Sequence, residues 1–175
     1  MISIRGAVRY IILATVLSLG LIGAAITSVA EKSNSVLAFE QLASLVGQWK
    51  GMQGNTEIKL TYTLTANGSA LMEESQPAGE AAMITMFTVD GDHLIATHYC
   101  SMGNQPQMVT KPIAEPSAKT LTFSLSRVTG LKTPEDFHNT GLTITLEDAQ
   151  HLTQVWTYEY KGKKGTNTFH FMRTS

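Results

Sequence analysis

The chain has 175 residues, 43% of them hydrophobic and 15% charged, with 13 Lys and Arg against 14 Asp and Glu and a single cysteine. That length corresponds to one globular domain, and the composition supplies a packed core, which excludes general disorder. A net charge of -1 leaves no basic footprint for nucleic acid. One cysteine provides neither an internal disulfide nor a paired-cysteine metal or redox site.

Residues 1–9 (MISIRGAVR) carry Arg5 and Arg9 and no acid, and residues 10–29 carry no charge. A basic start, an apolar run, and Ser28 and Ala30 at the -3 and -1 positions of a cut describe a secretory signal. Val36 and Ala38 mark a second cleavage position. The apolar run is also long enough to span a bilayer, so residues 1–30 read either as a cleaved signal or as an N-terminal anchor in the inner membrane. Both place residues 31–175 outside the cytoplasm, periplasmic or secreted. With Arg5 and Arg9 removed, that domain keeps all 14 acids but 11 bases, a net charge of -3.

Val36, Phe39, Leu42, Leu45 and Val46 recur at spacings of three and four, which predicts an amphipathic helix over 36–46 stopped by Gly47. From there the period is two. Ile58, Leu60, Tyr62 and Leu64 alternate with Lys59, Thr61 and Thr63, the pattern of a half-buried strand. Ten such runs lie near 49–53, 57–65, 70–76, 82–89, 93–101, 107–114, 120–128, 140–147, 151–161 and 166–174, separated by turn signals such as Asn67-Gly68, Asp90-Gly91 and Gly103-Asn104. Short sequential strands without crossover helices predict an all-β, antiparallel up-and-down β-barrel of about ten strands, closed because closure removes exposed edges. The only long connection, 129–139, is polar enough for a loop at the barrel mouth.

A helix leading into Gly47-Gln48-Trp49, about ten strands, and Arg173 in the last one resemble the calycin superfamily of lipocalins, fatty-acid-binding proteins and nitrobindin-like barrels. The resemblance implies that Trp49 closes the barrel floor and that Arg173 packs across it as a cation–π partner. The second lipocalin motif, a Thr-Asp-Tyr, is absent, so strand number and length fit the fatty-acid-binding and nitrobindin branch better. The segments THYCSMGNQPQM (97–108), NGSALMEE (67–74) and MFTVDGDHL (86–94) resemble a bacterial family of calycin-like domains of unassigned function. That likeness implies no activity.

Placing Asp90-Gly91 at the centre of a two-residue type I′ turn pairs Phe87 with Leu94, Thr85 with Ala96 and Met83 with His98. The face holding Phe87, Leu94 and Ala96 is taken as inward, which brings in His98 and Cys100 about 7 Å apart at ~3.3 Å per residue. They read as a shared ligand site or as a hydrogen-bonded histidine beside a buried thiol. No paired His/Cys motif completes a metal site, and no metal is expected. Arg127 follows Leu121, Phe123 and Leu125 on one face, as either an inward carboxylate anchor or a rim side chain in solvent. Leu152, Gln154, Trp156 and Tyr158 form a stripe suited to a cavity wall.

Nitrobindin-like proteins hold haem through a histidine near the C-terminus, and His170 is the only one in the last strand. Alternation from Phe169, Phe171 and Arg173 sends His170 outward, against haem. No nucleophile elbow, zinc-protease motif or dinucleotide fingerprint is present, adjacent Glu73 and Glu74 face opposite ways, and Asp136 with His138 is the only loop acid–base pair. No catalytic residue is expected. The sequence therefore suggests a binding barrel for a small apolar ligand such as a lipid or fatty acid, using Tyr62, His98, Cys100, Phe123, Arg127, Gln154, Trp156 and Tyr158. A filled barrel acting as an envelope interaction domain is the alternative, and a haem protein the third. Oligomeric state is open.

Overall fold

The computed structural model describes residues 31–174, and the segment 1–30, read from the sequence as a signal or anchor, lies outside the described residues. Helix α1, Asn34–Ala43, begins where the Ser33 side chain accepts from the Val36 N–H, the N-cap arrangement. It stops earlier than the periodicity suggests. The N–H groups of Ser44 and Leu45 turn back to the carbonyls of Gln41 and Leu42, so Val46, expected on the buried face, is exposed.

Ten strands follow: β1 Gly47–Gln53, β2 Thr56–Thr65, β3 Ala70–Pro77, β4 Met83–Asp90, β5 His93–Tyr99, β6 Gln105–Thr110, β7 Thr120–Thr129, β8 His138–Leu146, β9 His151–Tyr160 and β10 Lys163–Arg173. Each pairs antiparallel with its neighbours in sequence, and β1 pairs with β10, so the sheet is a closed up-and-down barrel. The expected fold class is the one observed. Alternation explains it, because one face of each strand is apolar and only closure gives ten such faces a common interior.

One end of the barrel is filled. Phe87 and Phe123 meet with ring centroids 5.7 Å apart, and Leu94, Met108, Leu142 and Ile144 are fully buried around them. Helix α1 covers this end with Ala38, Phe39 and Leu42, and Ser35 Oγ donates to the Gly91 carbonyl at 2.7 Å. Trp49 lies in the same floor, its indole N–H on the Leu45 carbonyl at 2.8 Å. The Arg173 guanidinium lies over that indole, 4.2 Å from the ring centroid. At the opposite end, the loop 130–137 is tied to its neighbours. Asn104 Nδ2 donates to the Phe137 carbonyl at 2.7 Å, and the Lys161 N–H to the Glu135 carbonyl at 2.8 Å.

Two departures from simple alternation matter for the interior. In the β4–β5 hairpin Asp90 pairs with His93, so the two loop residues are Gly91 and Asp92 rather than Asp90 and Gly91. Gly91 takes φ +57° at the first central position, the place glycine holds in a II′ turn. Moving the loop by one residue slides the partners by two. Inward faces are kept, but His98 now pairs with Thr85 instead of Met83. In β7 the register steps from Gln107↔Arg127 to Met108↔Leu125, leaving Ser126 as an extra residue in a bulge. Beyond it the faces invert. Arg127, a candidate for the interior by alternation, therefore lies outside the barrel with its Nε on Gln107 Oε1 at 3.1 Å.

Candidate functional site

The ladder pairs Tyr62 with Glu73, Glu73 with Thr85, and Thr85 with His98, one inward residue from each of β2, β3, β4 and β5. All four side chains are buried, Glu73 with 1% of its surface exposed and His98 with 4%. They form a polar rung across the inside of an otherwise apolar barrel. Tyr62 Oη donates to Glu73 Oε2 at 2.5 Å, and Gln154 Nε2 donates to the same oxygen at 2.6 Å and to Tyr62 Oη at 2.8 Å. Gln154 is fixed in turn, because its Oε1 accepts from the Trp156 indole N–H at 2.9 Å. The Thr85 hydroxyl stands at the strand position paired with Glu73, where it helps hold the carboxylate, and lies 3.0 Å from His98 Nδ1. The imidazole packs against Trp156 with centroids 4.9 Å apart.

Burial governs the charges of this rung. Among the described residues no lysine or arginine reaches Glu73, so desolvation raises its carboxyl above the ordinary glutamate range, opposed by the hydrogen bonds from Tyr62 and Gln154 and by the neighbouring Thr85 hydroxyl. Burial and the neighbouring carboxylate push the Tyr62 phenol well above its usual value. Burial also lowers His98 to about 4, which leaves its ring neutral near neutral pH.

The rung borders a cavity of about 420 Å³ in the open end of the barrel. Its walls are mainly apolar, with Ile58, Met83, Phe137, Trp156, Phe169 and Phe171. Glu73, His98 and Gln154 supply its deep polar end, and Asn139 and Asn167 are further amides on its lining. Among the described residues no lysine or arginine lines it; the charged residues there are Glu73 and Glu80.

The residues singled out in the sequence divide on this geometry. His98, Cys100, Gln154 and Trp156 line the cavity. Tyr62 sits behind Glu73, and Phe123 belongs to the filled end. Tyr158 packs on Phe137 at 5.1 Å and lies across Gly165 instead of lining the cavity. Arg127 is outside. The acid–base reading of the long loop has no side-chain pair behind it, because Asp136 accepts from Thr133 and the Lys132 N–H while His138 Nδ1 meets the Asp136 backbone carbonyl at 2.9 Å.

His170, the last-strand histidine on which the haem reading depends, is exposed on the outer face with Nδ1 2.8 Å from Thr153 Oγ1. It does not fit a group held inside the barrel.

Sequence reasoning missed Glu73 and Thr85. The signal for Glu73 was available: hairpin alternation from Leu64 and Tyr62 across the Asn67-Gly68 turn puts Leu71 and Glu73 inward.

Among the solved structures that share this fold are two of different length. One is a protein of unknown function of the DUF3598 family from Nostoc punctiforme, with 16% identity, a TM-score of 0.51, and coverage of 77% of this chain and 49% of that one. This chain thus spans about half the length of the Nostoc protein. The other is Rv2717c from M. tuberculosis, with 11% identity, a TM-score of 0.56, and coverage of 79% and 98%. At such identities the likeness is one of fold alone. No family model matches the chain, and no curated protein does.

Proposed function

We propose that this chain is an exported calycin-type binding barrel that holds a small, largely apolar molecule in its open end. The observation that carries the reading is the 420 Å³ cavity with aromatic walls and a fixed polar end. Ligand sites typically occupy about 300–1,000 Å³, are mostly apolar, and present a few well-placed polar groups. Export rests on the basic and apolar character of residues 1–30. A filled barrel serving only as an interaction domain has less support, because bulky side chains fill only the helix-covered end. The fatty-acid variant is also weakened, since Arg127 is outside and no cation among the described residues lines the cavity.

Native mass spectrometry of the purified full chain, with an ultraviolet–visible spectrum, tests this proposal. A copurified small molecule whose retention is reduced by Trp156→Ala is expected. Ligand-free protein whose melting temperature does not respond to a panel of apolar molecules would overturn it.

A further inference from the structure

The polar end of the cavity has a direction. Two donors of the rung end on Glu73 Oε2, Tyr62 Oη and Gln154 Nε2, and Thr85 stands beside the same carboxyl at the paired strand position. A threonine hydroxyl has one proton. If it goes to Glu73, the contact of 3.0 Å between Thr85 Oγ1 and His98 Nδ1 must be a donation from the imidazole N–H. A neutral imidazole carries one N–H, so Nε2 is left with a lone pair. Nδ1 faces Thr85, no described residue bonds Nε2, and His98 lines the cavity. The ring is held in place by its contact with Trp156.

We infer that the deep end of the cavity is a built hydrogen-bond acceptor, His98 Nε2 beside the Glu73 carboxylate, which selects an apolar ligand whose head is a hydroxyl or an amine and rejects one whose head is a carboxylate. This inference rests on the binding reading proposed above and names the ligand class for the same site. A carboxylate head would meet an imidazole lone pair and a second carboxylate in a low-dielectric pocket where no lysine or arginine among the described residues offsets it. A hydroxyl donates to Nε2 at no charge cost, and an ammonium group gains Glu73 as a counter-ion. Glu73 acts as a positioning residue here, because its demand for protons fixes the Thr85 hydroxyl and, through it, the His98 tautomer. Glu73→Gln alters this chain of donors at constant shape. The new amide N–H can donate to Thr85, the Thr85 proton then turns to His98 Nδ1, and Nε2 becomes an N–H donor.

The test compares three probes of equal length, decan-1-ol, decylammonium and decanoate, titrated into the full chain near neutral pH and followed by Trp156 fluorescence and calorimetry. The alcohol and the ammonium ion are expected to bind at least tenfold more tightly than decanoate, and His98→Phe, which keeps a ring against Trp156, is expected to erase most of that difference. In the unliganded wild type, the ¹⁵N shifts of His98 should report the Nδ1–H tautomer, a readout that needs no variant to fold, and Glu73→Gln should shift them toward Nε2–H. Decanoate binding as tightly as the alcohol, or an Nε2–H tautomer in the wild type, would overturn the acceptor and leave the binding barrel standing. If none of the three probes perturbs Trp156 or releases heat, both the acceptor and the binding reading fail.

Discussion

Arg173 covers Trp49 and also donates to three backbone carbonyls, from Nε to Ala149 at 2.9 Å, from Nη1 to Val46 at 2.7 Å and from Nη2 to Ser44 at 2.8 Å. One side chain thus joins the end of β10 to the helix exit and to the β8–β9 turn. A cation–π contact contributes about 0.5–1 kcal/mol, and hydrogen bonds from a charged donor about 1.5–3 kcal/mol. Arg173→Ala is expected to lower stability by about 2–4 kcal/mol in urea unfolding. Arg173→Lys should recover less than half of that, because an ammonium cannot present the planar fork. Equal stability of the lysine variant and the wild type would count against the fork.

Acid should unfold the barrel through His98. Its folded-state value is about 4 against 6.5 for the free side chain, so the unfolded chain binds more protons than the native one between those values. The stability this represents is fully present above about 6.5 and is lost as pH falls toward 4, roughly 3 kcal/mol in all at 1.36 kcal/mol per unit. Chemical denaturation from pH 8 to 4 should show this loss, and His98→Phe should flatten the curve over the same window.

Glu73 titrates with the opposite sign. Its carboxyl is raised, so the native state keeps a proton that the unfolded chain releases, and this contribution to stability declines as pH rises from 4.5 through the raised value. The stability of Glu73→Gln minus that of the wild type should therefore increase over that rise. A difference that stays constant with pH would mean that the carboxyl is not perturbed.

Two glycines under aromatic rings should respond differently to alanine. A Cβ on Gly51 would stand 2.5 Å from the His170 backbone oxygen, which cannot move without breaking the β1–β10 ladder. On Gly165 the first obstacle is the far end of the Tyr158 ring, and a side chain can rotate away. Gly51→Ala is expected to cost about 2–3 kcal/mol and Gly165→Ala about 1 kcal/mol by thermal unfolding. Gly165→Ala should in addition alter probe affinity, as the displaced ring moves against Phe137 on the cavity wall.

Cys100 lines the cavity, so ligand and thiol chemistry should compete. Maleimide labelling of Cys100 in the full chain is expected to slow severalfold with decan-1-ol present, as measured by intact mass. An unchanged rate would place the probe elsewhere.

The barrel was legible because each of its strands writes its two faces into alternate residues; Ile58, Leu60 and Tyr62 against Lys59 and Thr61 is one case. The Trp49–Arg173 closure was legible through the calycin resemblance of Gly47-Gln48-Trp49 and the last-strand arginine, and the two residues do pair across β1 and β10. What the pattern hid depends on counting. A one-residue difference in where the β4–β5 loop sits changes neither face, so alternation is blind to it, yet it decides whether His98 meets Met83 or Thr85. The hydroxyl that orients the imidazole was lost to that ambiguity. Ser126 carries no mark of a bulge, since a serine fits an outer strand position equally well, and the orientation of Arg127 followed from the assumption of an unbroken ladder. Glu73 was overlooked because a carboxylate on an inward face runs against the burial rule until its three donors are known.

The bulge at Ser126 makes chain length in one strand a determinant of the electrical character of the interior. Inserting one residue between Ser126 and Arg127, with the bulge kept, would move Arg127 from its place opposite Gln107 to one opposite Pro106 and turn it toward the lumen near the open end, giving an anion a counter-charge while Val128 moves outward. Descendants of such a barrel could exchange one class of cargo for its opposite by a codon insertion, a route that a comparison of aligned substitutions would not register.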